Sequence, residues 1–151
     1  MDQQPDWAAA DWGTSHLRLW LMAEDGTVLR RLDSKAGMGT LKPDGYEPEL
    51  LRLLGDVLPG KGTMDVICCG MAGAAQGWAE APYAAVPCAP PGPGEAVQPR
   101  LNNPRLRVFI LPGVKQTADP DVMRGEETQI AGFLAANPGY DGLVCLPGTH
   151  S

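Results

Sequence analysis

Residues 7–22 read WAAADWGTSHLRLWLM, and this stretch decides the fold class. The apolar run at 7–10 predicts a buried strand, and apolar and polar side chains then alternate over residues 16–22 as they do in a half-buried strand. Asp11 and the Gly-Thr-Ser run at 13–15 lie between these two segments. We therefore expect a hairpin whose turn carries a carboxylate, a glycine and two hydroxyl groups.

The composition of this turn suits contact with a phosphate group and a magnesium ion. Gly13 lets the backbone approach a phosphate closely, while Thr14 and Ser15 offer hydroxyl donors. Asp11 can hold a magnesium ion through its water shell. The same residue types are ordinary turn formers, so a plain hairpin turn is the alternative. A helix-opening phosphate loop is not expected, because no glycine-rich run ends in Gly-Lys-Ser or Gly-Lys-Thr.

The overall composition is that of a globular domain with many turns. The 151 residues are 44% hydrophobic and include 19 glycines and 15 prolines. A net charge of −6 argues against a nucleic-acid or anionic-membrane partner, and no apolar stretch reaches the roughly 18 residues of a membrane span. The chain lacks a signal-peptide pattern, and its four cysteines have neither disulfide-framework nor zinc-site spacing. We expect a cytoplasmic protein with reduced thiols.

Local patterns predict a three-stranded meander followed by a helix. The Asp-Gly pair at 25–26 predicts a tight hairpin into a third strand at residues 28–32. The helix is expected to open with a capping box of Asp44 and Glu47 and to stop at the Pro-Gly pair at 59–60. Its predicted core face consists of Tyr46, Leu50, Leu53, Leu54 and Val57.

The second half of the chain predicts two buried strands, a long loop and another helix. Residues 64–69 and 106–111 are apolar runs that we expect to join the meander as parallel strands. Residues 87–104 contain six prolines and predict an extended loop. A helix is expected at 126–136, followed by a short strand at 143–146. The apolar residues expected to face the core from this helix are Ile130, Phe133 and Leu134.

Four motifs follow one another along the chain and together span nearly all of it. They are DWGTS at 11–15 with Leu17, Arg18 and Trp20; GMAG at 70–73 with Gly77, Trp78, Ala81, Pro82 and Tyr83; VMRGEETQ at 122–129; and PGTHS at 147–151. In this order they resemble the 2-dehydro-3-deoxygalactonokinases, sugar-acid kinases related to the actin and hexokinase superfamily. The run MRGEETQ is the most specific of the four.

The resemblance implies a fold, a reaction and two cofactors. The fold is an α/β domain of the ribonuclease H-like (actin-like ATPase) kind with a mixed sheet at 1–117, including the Pro-rich loop at 87–104, and the start of a second such domain at 118–151. The reaction is ATP-dependent phosphorylation of 2-dehydro-3-deoxy-D-galactonate to its 6-phosphate in cytoplasmic galactonate breakdown. ATP and Mg²⁺ are the implied cofactors. The implied partner is a small sugar acid, with no nucleic acid or membrane, and a homodimer is left open.

Family members are about twice as long as this chain, so we expect the 151 residues alone to have little or no kinase activity. Two other functions remain open. One is a non-catalytic domain that binds a sugar acid or a partner, and the other is a kinase of the same superfamily for another sugar or keto acid.

The resemblance also assigns roles in phosphate binding to residues near both ends of the chain. Asp11 matches an aspartate that positions magnesium, and Arg18 matches a position that reaches the γ-phosphate; a solvated strand arginine is the alternative for Arg18. The residues implied to contact nucleotide phosphates are Asp11, Gly13, Thr14, Ser15, Arg18, Gly148, Thr149 and Ser151.

The remaining assignments concern the reacting hydroxyl and the sugar acid. Glu127 matches the carboxylate that accepts the proton of the attacking hydroxyl, with Glu126 as second choice; both also suit a helix start, where carboxylates complement the helix dipole. Arg124 is the candidate for the substrate carboxylate, and a surface ion pair is its alternative. The other candidate substrate residues are Trp12, Trp78 and Gly73, of which the tryptophans are alternatively core residues.

Overall fold

The expected meander is present at the start of the chain in a computed structural model that describes residues 3–147. Strand β1 (Trp7–Trp12) pairs antiparallel with β2 (Leu17–Met22), and β2 pairs antiparallel with β3 (Val28–Ser34). Alternate side chains of β1 and β2 are fully buried, as the sequence periodicity predicts. The first motif therefore lies in a hairpin turn.

Further strands extend this meander into a mixed sheet. Within residues 3–147 they are β4 (Met64–Gly70), β5 (Ala84–Ala85), β6 (Leu106–Ile110), β7 (Val114–Gln116) and β8 (Asp121–Met123). Strand β4 pairs parallel with β1, and β6 pairs parallel with β4, which gives the order β3-β2-β1-β4-β6. The fold is therefore mixed α/β, with the carboxyl ends of β1, β4 and β6 at one edge.

Helix α1 (Tyr46–Leu54) covers one face of the sheet and closes the core. The expected capping box at its start is wrong: a 3₁₀ turn at Pro43–Gly45 precedes the helix, Gly45 is the N-cap, and no side chain caps it. The Glu47 carboxylate, 7% exposed, instead accepts hydrogen bonds from the backbone N–H groups of Asn102 and Asn103 at 2.7–3.0 Å. Those partners lie 55 and 56 residues away in the chain, beyond the reach of a local capping pattern.

The last turn of the predicted α1 differs as well. The α-helix ends at Leu54, and a 3₁₀ turn at Gly55–Val57 continues it, so Val57 lies outside the helix. The Pro-rich segment at 87–104 is irregular as expected, apart from a 3₁₀ turn at Pro93–Glu95 and a single bridge between Val97 and Ile110.

Three short strands form a second sheet that the sequence patterns did not predict. Its order is β5-β7-β8, with β5 parallel and β8 antiparallel to β7. Each strand has only two or three residues, which is too short for an alternating pattern to be recognised. Residues 124–128 follow the last strand of this small sheet, and Gly125 among them lies against Gly70 at the carboxyl end of β4.

Helix α2 (Glu126–Ala136) has the bounds that the sequence predicts, but its burial was predicted wrongly. Phe133 and Leu134 are 36% and 37% exposed, and Glu127 is the buried residue of the helix. Phe133 packs edge-on against Tyr140, with 4.9 Å between ring centroids, and not against the sheet.

The expected strand at 143–146 is also wrong, because the chain there has no strand partner and Leu143 is 96% exposed. Among the described residues, neither helix is long and apolar enough to cross a bilayer.

Candidate functional site

The candidate site lies where β1 and β4 end side by side. The parallel pairing sets Asp11 opposite Cys69 and Trp12 opposite Gly70. Gly70 has a φ of +95°, and a Cβ added there would be 2.7 Å from the Trp12 carbonyl oxygen and 3.3 Å from Oδ1 of Asp11. Position 70 therefore requires glycine, because a larger residue fits neither this backbone conformation nor so close an approach to β1.

A second glycine brings the start of α2 to the same place. Gly125 has a φ of +118°, and a Cβ added there would be 3.4 Å from the Cα of Gly70. Glu126 and Glu127 follow directly as the first two residues of α2. Burial is the main reason why the pKa of Asp11 is raised, and the charge of Glu126 adds to the rise. The first motif and the MRGEETQ run are therefore neighbours in space.

Asp11 forms an open ion pair across the first hairpin. Arg18 lies opposite Asp11 in the register, and its Nη1 is 3.6 Å from Oδ2 of Asp11. The side chains of Arg18 and Asp11 are 51% and 30% exposed, so solvent screens this pair. No group of three or more His, Cys, Asp or Glu side chains within residues 3–147 is placed to hold a metal ion directly. A single, partly exposed carboxylate fits a magnesium ion that keeps most of its water ligands.

Glu127 is the most buried carboxylate of the site, with 2% of the residue exposed. Its Oε2 accepts a hydrogen bond from the Gly125 N–H at 2.7 Å, while Oε1 is buried without a partner. Burial raises the pKa of Glu127 above its ordinary value of 4.5, and hydrogen bonds from the backbone N–H groups of Glu127 and Gly125 offset part of the rise. Glu126 differs, because its Oε2 accepts the Arg124 N–H at 3.0 Å and the residue is partly exposed.

Buried polar atoms without a partner are concentrated at this edge of the sheet. Four such side-chain atoms occur within residues 3–147, and three of them are Arg124 Nη1, Glu127 Oε1 and Thr128 Oγ. Buried polar atoms in native proteins nearly always have a hydrogen-bond partner. Three unpartnered atoms within five consecutive residues are typical of a site where a ligand or ordered water supplies the missing partners.

Arg124 is held from several sides. Its Nη2 donates to the Ala81 carbonyl oxygen at 2.8 Å, and its Cζ lies 4.2 Å from the ring centroid of Tyr83. Gly73 lies directly beneath the guanidinium, since a Cβ added at position 73 would be 2.7 Å from Nη1. Within residues 3–147, Arg124 forms no ion pair with a carboxylate, so the surface-pair alternative finds no support.

The expected phosphate turn is open to solvent on its hydroxyl side. The Gly13 N–H donates to the His16 carbonyl at 2.8 Å, and the loop that follows β3 donates to Gly13 and Thr14 through the N–H groups of Met38 and Gly39. Thr14 and Ser15 are both exposed. The backbone of the turn is thus fixed while its two hydroxyl groups are free to contact a ligand.

Trp12 and Trp78 belong to an aromatic cluster in the core. Trp12 is 0% exposed and lies 4.8 Å from Tyr46 and 5.8 Å from Trp78 between ring centroids. Its Nε1 donates to the Ala36 carbonyl at 2.8 Å. Trp78 is 9% exposed and stacks on Tyr46. The cluster lies on the face of the sheet that α1 covers, so the structure favours the core alternative for Trp12. Trp78 belongs to the cluster and also borders a cavity of about 520 Å³ beside Glu47 and Arg100.

A cavity of about 620 Å³ opens on the opposite face of the sheet, next to Asp11. Its polar end is formed by Asp11, Arg18, Cys69 and Thr128, and Trp7, Trp20 and Ile67 line its apolar part. Burial raises the pKa of the Cys69 thiol to about 12, the charge of Asp11 adds to the rise, and the Thr128 hydroxyl partly offsets it. This raised pKa favours the neutral thiol at neutral pH, which is a weaker nucleophile than a thiolate.

The family model for 2-keto-3-deoxy-galactonokinases matches residues 11–151. This chain belongs to that family. A protein of Rhizobium meliloti (strain 1021), named as a 2-dehydro-3-deoxygalactonokinase, is 44% identical over 150 residues, which are 96% of this chain and 47% of the relative. An Escherichia coli (strain K12) 2-dehydro-3-deoxygalactonokinase is 35% identical over 144 residues, or 94% of this chain and 46% of the relative.

A solved structure agrees with this family membership. The crystal structure of a Sinorhizobium meliloti protein, named as a 2-dehydro-3-deoxygalactonokinase, superposes with a TM-score of 0.82 at 43% identity. The match covers 95% of this chain and 48% of that one. The chain thus spans about half the length of the relatives that it matches.

Several candidate residues lie together in space. Asp11 pairs with Arg18 and lies near Glu126, Glu127 lies near Cys69, and Gly73 contacts Arg124. The second phosphate loop, with Gly148, Thr149 and Ser151, lies outside the described residues. Sequence reasoning missed Tyr83, Thr128 and the contact between Gly70 and Gly125; each lies inside a family motif, and that was the available signal.

The raised pKa of Glu127 predicts a pH-dependent cost to folding. A carboxyl group whose pKa is raised by folding binds more protons in the folded state, so stability falls as the pH rises from about the ordinary value of 4.5 through the raised value. We expect the free energy of unfolding of Glu127→Gln to increase relative to the unsubstituted chain between pH 4 and pH 8 in urea titrations. Parallel pH profiles for the two proteins would contradict the assignment.

Proposed function

We propose that this sequence forms the sugar-acid and phosphate-binding part of an ATP-dependent kinase. The reaction is transfer of the γ-phosphoryl group to the terminal hydroxyl of 2-dehydro-3-deoxy-D-galactonate, which gives the 6-phosphate and ADP in galactonate breakdown. Family membership and the names of two curated relatives support the sugar-acid kinase class. A kinase of the same superfamily for another sugar or keto acid is separated from this by a substrate panel on the intact gene product.

The observation that carries the proposal is the environment of Glu127. One carboxylate oxygen is fixed by the Gly125 N–H at 2.7 Å and the other is buried without a partner, and the Glu127 carboxylate lies close enough to Cys69, near the end of β4, to raise the pKa of that thiol. A fixed, unsatisfied acceptor suits a general base that takes the proton of an attacking hydroxyl. The raised pKa of Glu127 makes it a stronger base than an exposed glutamate. Glu126 is the second choice, because its side chain is partly exposed and, unlike Glu127, has no buried oxygen without a partner.

The first hairpin is the proposed contact for the nucleotide phosphates. Exposed Thr14 and Ser15 hydroxyls and the backbone at Gly13 face solvent beside Asp11, and Arg18 adds a positive charge 3.6 Å from Asp11. Gly148, Thr149 and Ser151 are proposed as the second phosphate contact. Mg²⁺, held through water by Asp11, would neutralise charge on the transferred group, which is the main requirement of phosphoryl transfer.

The topology supports a ribonuclease H-like classification. An antiparallel meander is extended by two parallel strands in the order β3-β2-β1-β4-β6, and the candidate residue Asp11 lies at the carboxyl end of β1, beside the end of β4. We propose one such domain at 1–117 and the start of a second at 118–151. The pairing of β7 with β8 spans this proposed boundary, so the small sheet would link the two domains. A cytoplasmic location and a homodimer also remain proposals, the latter to be tested by analytical ultracentrifugation.

The test separates a kinase from a binding module. We expect the 151-residue chain to bind 2-dehydro-3-deoxy-D-galactonate in isothermal titration calorimetry and to show little or no turnover with ATP and Mg²⁺. Binding of the sugar acid without any binding of ATP–magnesium, by the chain and by the intact gene product, would favour a non-catalytic binding module. Turnover of the isolated chain close to that of its longer relatives would contradict the expected inactivity.

A further inference from the structure

The guanidinium of Arg124 is fixed by residues about forty positions earlier in the chain. Its Nη2 donates to the Ala81 carbonyl, and its Cζ lies over the ring of Tyr83, 4.2 Å from the ring centroid. The distance from Nε to the Tyr83 hydroxyl is 3.5 Å, which is long for a hydrogen bond, so the face of the ring is the main contact. On another side, the backbone of Gly73 lies so near the guanidinium that a Cβ added at position 73 would be 2.7 Å from Nη1.

This arrangement leaves a positive charge oriented but unpaired. Nη1 is buried without an acceptor, and Arg124 has no ion-pair partner within residues 3–147. The Arg124 charge acts on Glu127, where it lowers the pKa, but a buried N–H without an acceptor is costly, so Nη1 favours a ligand that brings an anionic acceptor. Arg124 as a whole is partly exposed, which leaves part of the side chain open to such a ligand.

The unpartnered atoms nearby include a cationic donor and a carboxylate acceptor. Arg124 offers a cationic donor, and Glu127 offers an unsatisfied carboxylate acceptor through Oε1. A planar guanidinium recognises a carboxylate by two parallel hydrogen bonds, provided that its plane is held at a fixed angle. The orientation of the guanidinium therefore decides whether it forms both hydrogen bonds to the carboxylate or only attracts its negative charge.

We propose that Tyr83 is a positioning residue that holds Arg124 for the carboxylate of the sugar acid, together with the Ala81 carbonyl and the bare backbone of Gly73. This inference rests on the proposed function, because it names the acid group of that substrate as the ligand of Arg124. Tyr83 itself touches Arg124 and acts through it. The preference of the protein for an acid over a neutral sugar then depends on the ring of Tyr83, which lies outside the reacting centre.

The test compares Tyr83→Leu, which removes the ring, with Tyr83→Phe, which keeps it. Binding of 2-dehydro-3-deoxy-D-galactonate and of the neutral sugar 2-deoxy-D-galactose to the 151-residue chain is measured by calorimetry. We expect Tyr83→Leu to weaken binding of the acid about tenfold, in the range of a partly buried cation–π contact, and to leave the neutral sugar unchanged. Tyr83→Phe should stay within about twofold of the unsubstituted chain, because the face of the ring carries the contact.

A matched control and a direct readout of orientation complete the experiment. Phe109→Leu removes a ring from a similar pair, in which Arg107 Cζ lies 5.3 Å from the Phe109 centroid, and should not change either affinity. The Arg124 Nε–H signal in proton–nitrogen NMR spectra, assigned with Arg124→Lys, should broaden or disappear in Tyr83→Leu only. An unchanged preference for the acid in Tyr83→Leu would overturn the proposed role of Tyr83 and leave the proposed sugar-acid site standing. Failure of the unsubstituted chain to bind the acid would overturn the proposed sugar-acid site as well.

Discussion

Replacement of Glu127 by glutamine is expected to lower kcat of the intact gene product by about 100- to 10,000-fold, the range that a positioned general base contributes. Glutamine keeps the shape of the side chain and an oxygen that can accept the Gly125 N–H, which now bonds Oε2 at 2.7 Å. It cannot take up a proton from the substrate hydroxyl. The measurement is steady-state kinetics with ATP, Mg²⁺ and the sugar acid, and KM for the sugar acid should change much less than kcat.

Glu126→Gln is the matched control for this experiment. Its carboxylate bonds the Arg124 N–H at the same helix start but is partly exposed. We expect a loss below about tenfold, because this side chain supports the geometry without accepting the proton. A larger loss in Glu126→Gln than in Glu127→Gln would exchange the two assignments, and small losses in both would remove the general base from this helix start.

Trp12→Ala is expected to lower the free energy of unfolding by about 3–5 kcal/mol, the usual cost of removing a large aromatic side chain from a packed core. Trp12 is 0% exposed, packs against Tyr46 and Trp78, and donates its indole N–H to the Ala36 carbonyl. Removal of the side chain leaves a cavity beneath α1. Urea denaturation followed by far-UV circular dichroism provides the measurement.

Trp20→Ala provides the comparison, since Trp20 lies on the opposite face of the sheet and is partly exposed beside the 620 Å³ cavity. We expect a loss of about 1 kcal/mol there, as for a typical substitution outside the core. Equal losses at the two positions would contradict the core assignment of Trp12. Unchanged stability of Trp12→Ala together with lost sugar-acid binding would restore the alternative that Trp12 lines the sugar pocket.

The elements that follow from local periodicity were predicted well. Alternation over residues 16–22 and the apolar run at 7–10 correspond to β2 and β1, and the predicted bounds of α2 match Glu126–Ala136. The side-chain pattern of a strand or helix depends on residues a few positions apart, so a single sequence contains that information. The roles of Asp11, Arg124 and Glu127 stay predictions, drawn from motifs whose residue types suit the chemistry.

Features that depend on distant residues were predicted poorly. Glu47 has the spacing of a capping box, yet its partners lie at residues 102 and 103. Phe133 has the chemistry of a core residue, but it packs on Tyr140 and stays partly exposed. In both cases the chain contains several groups of similar chemistry that this side chain could contact. The path of the chain determines which of these groups lies within reach.

By itself, the sequence determined the strands of the large sheet, the bounds of α2 and the family. Only the tertiary structure decided which residues meet. It packs Gly125 on Gly70 so that Glu127 lies near Cys69 at the end of β4, and it places Arg124 over the ring of Tyr83, 41 residues earlier in the chain. The physical reason is that such contacts are set by the pairing of β4 with β1 and by backbone approaches that only glycine permits, neither of which has a local sequence period.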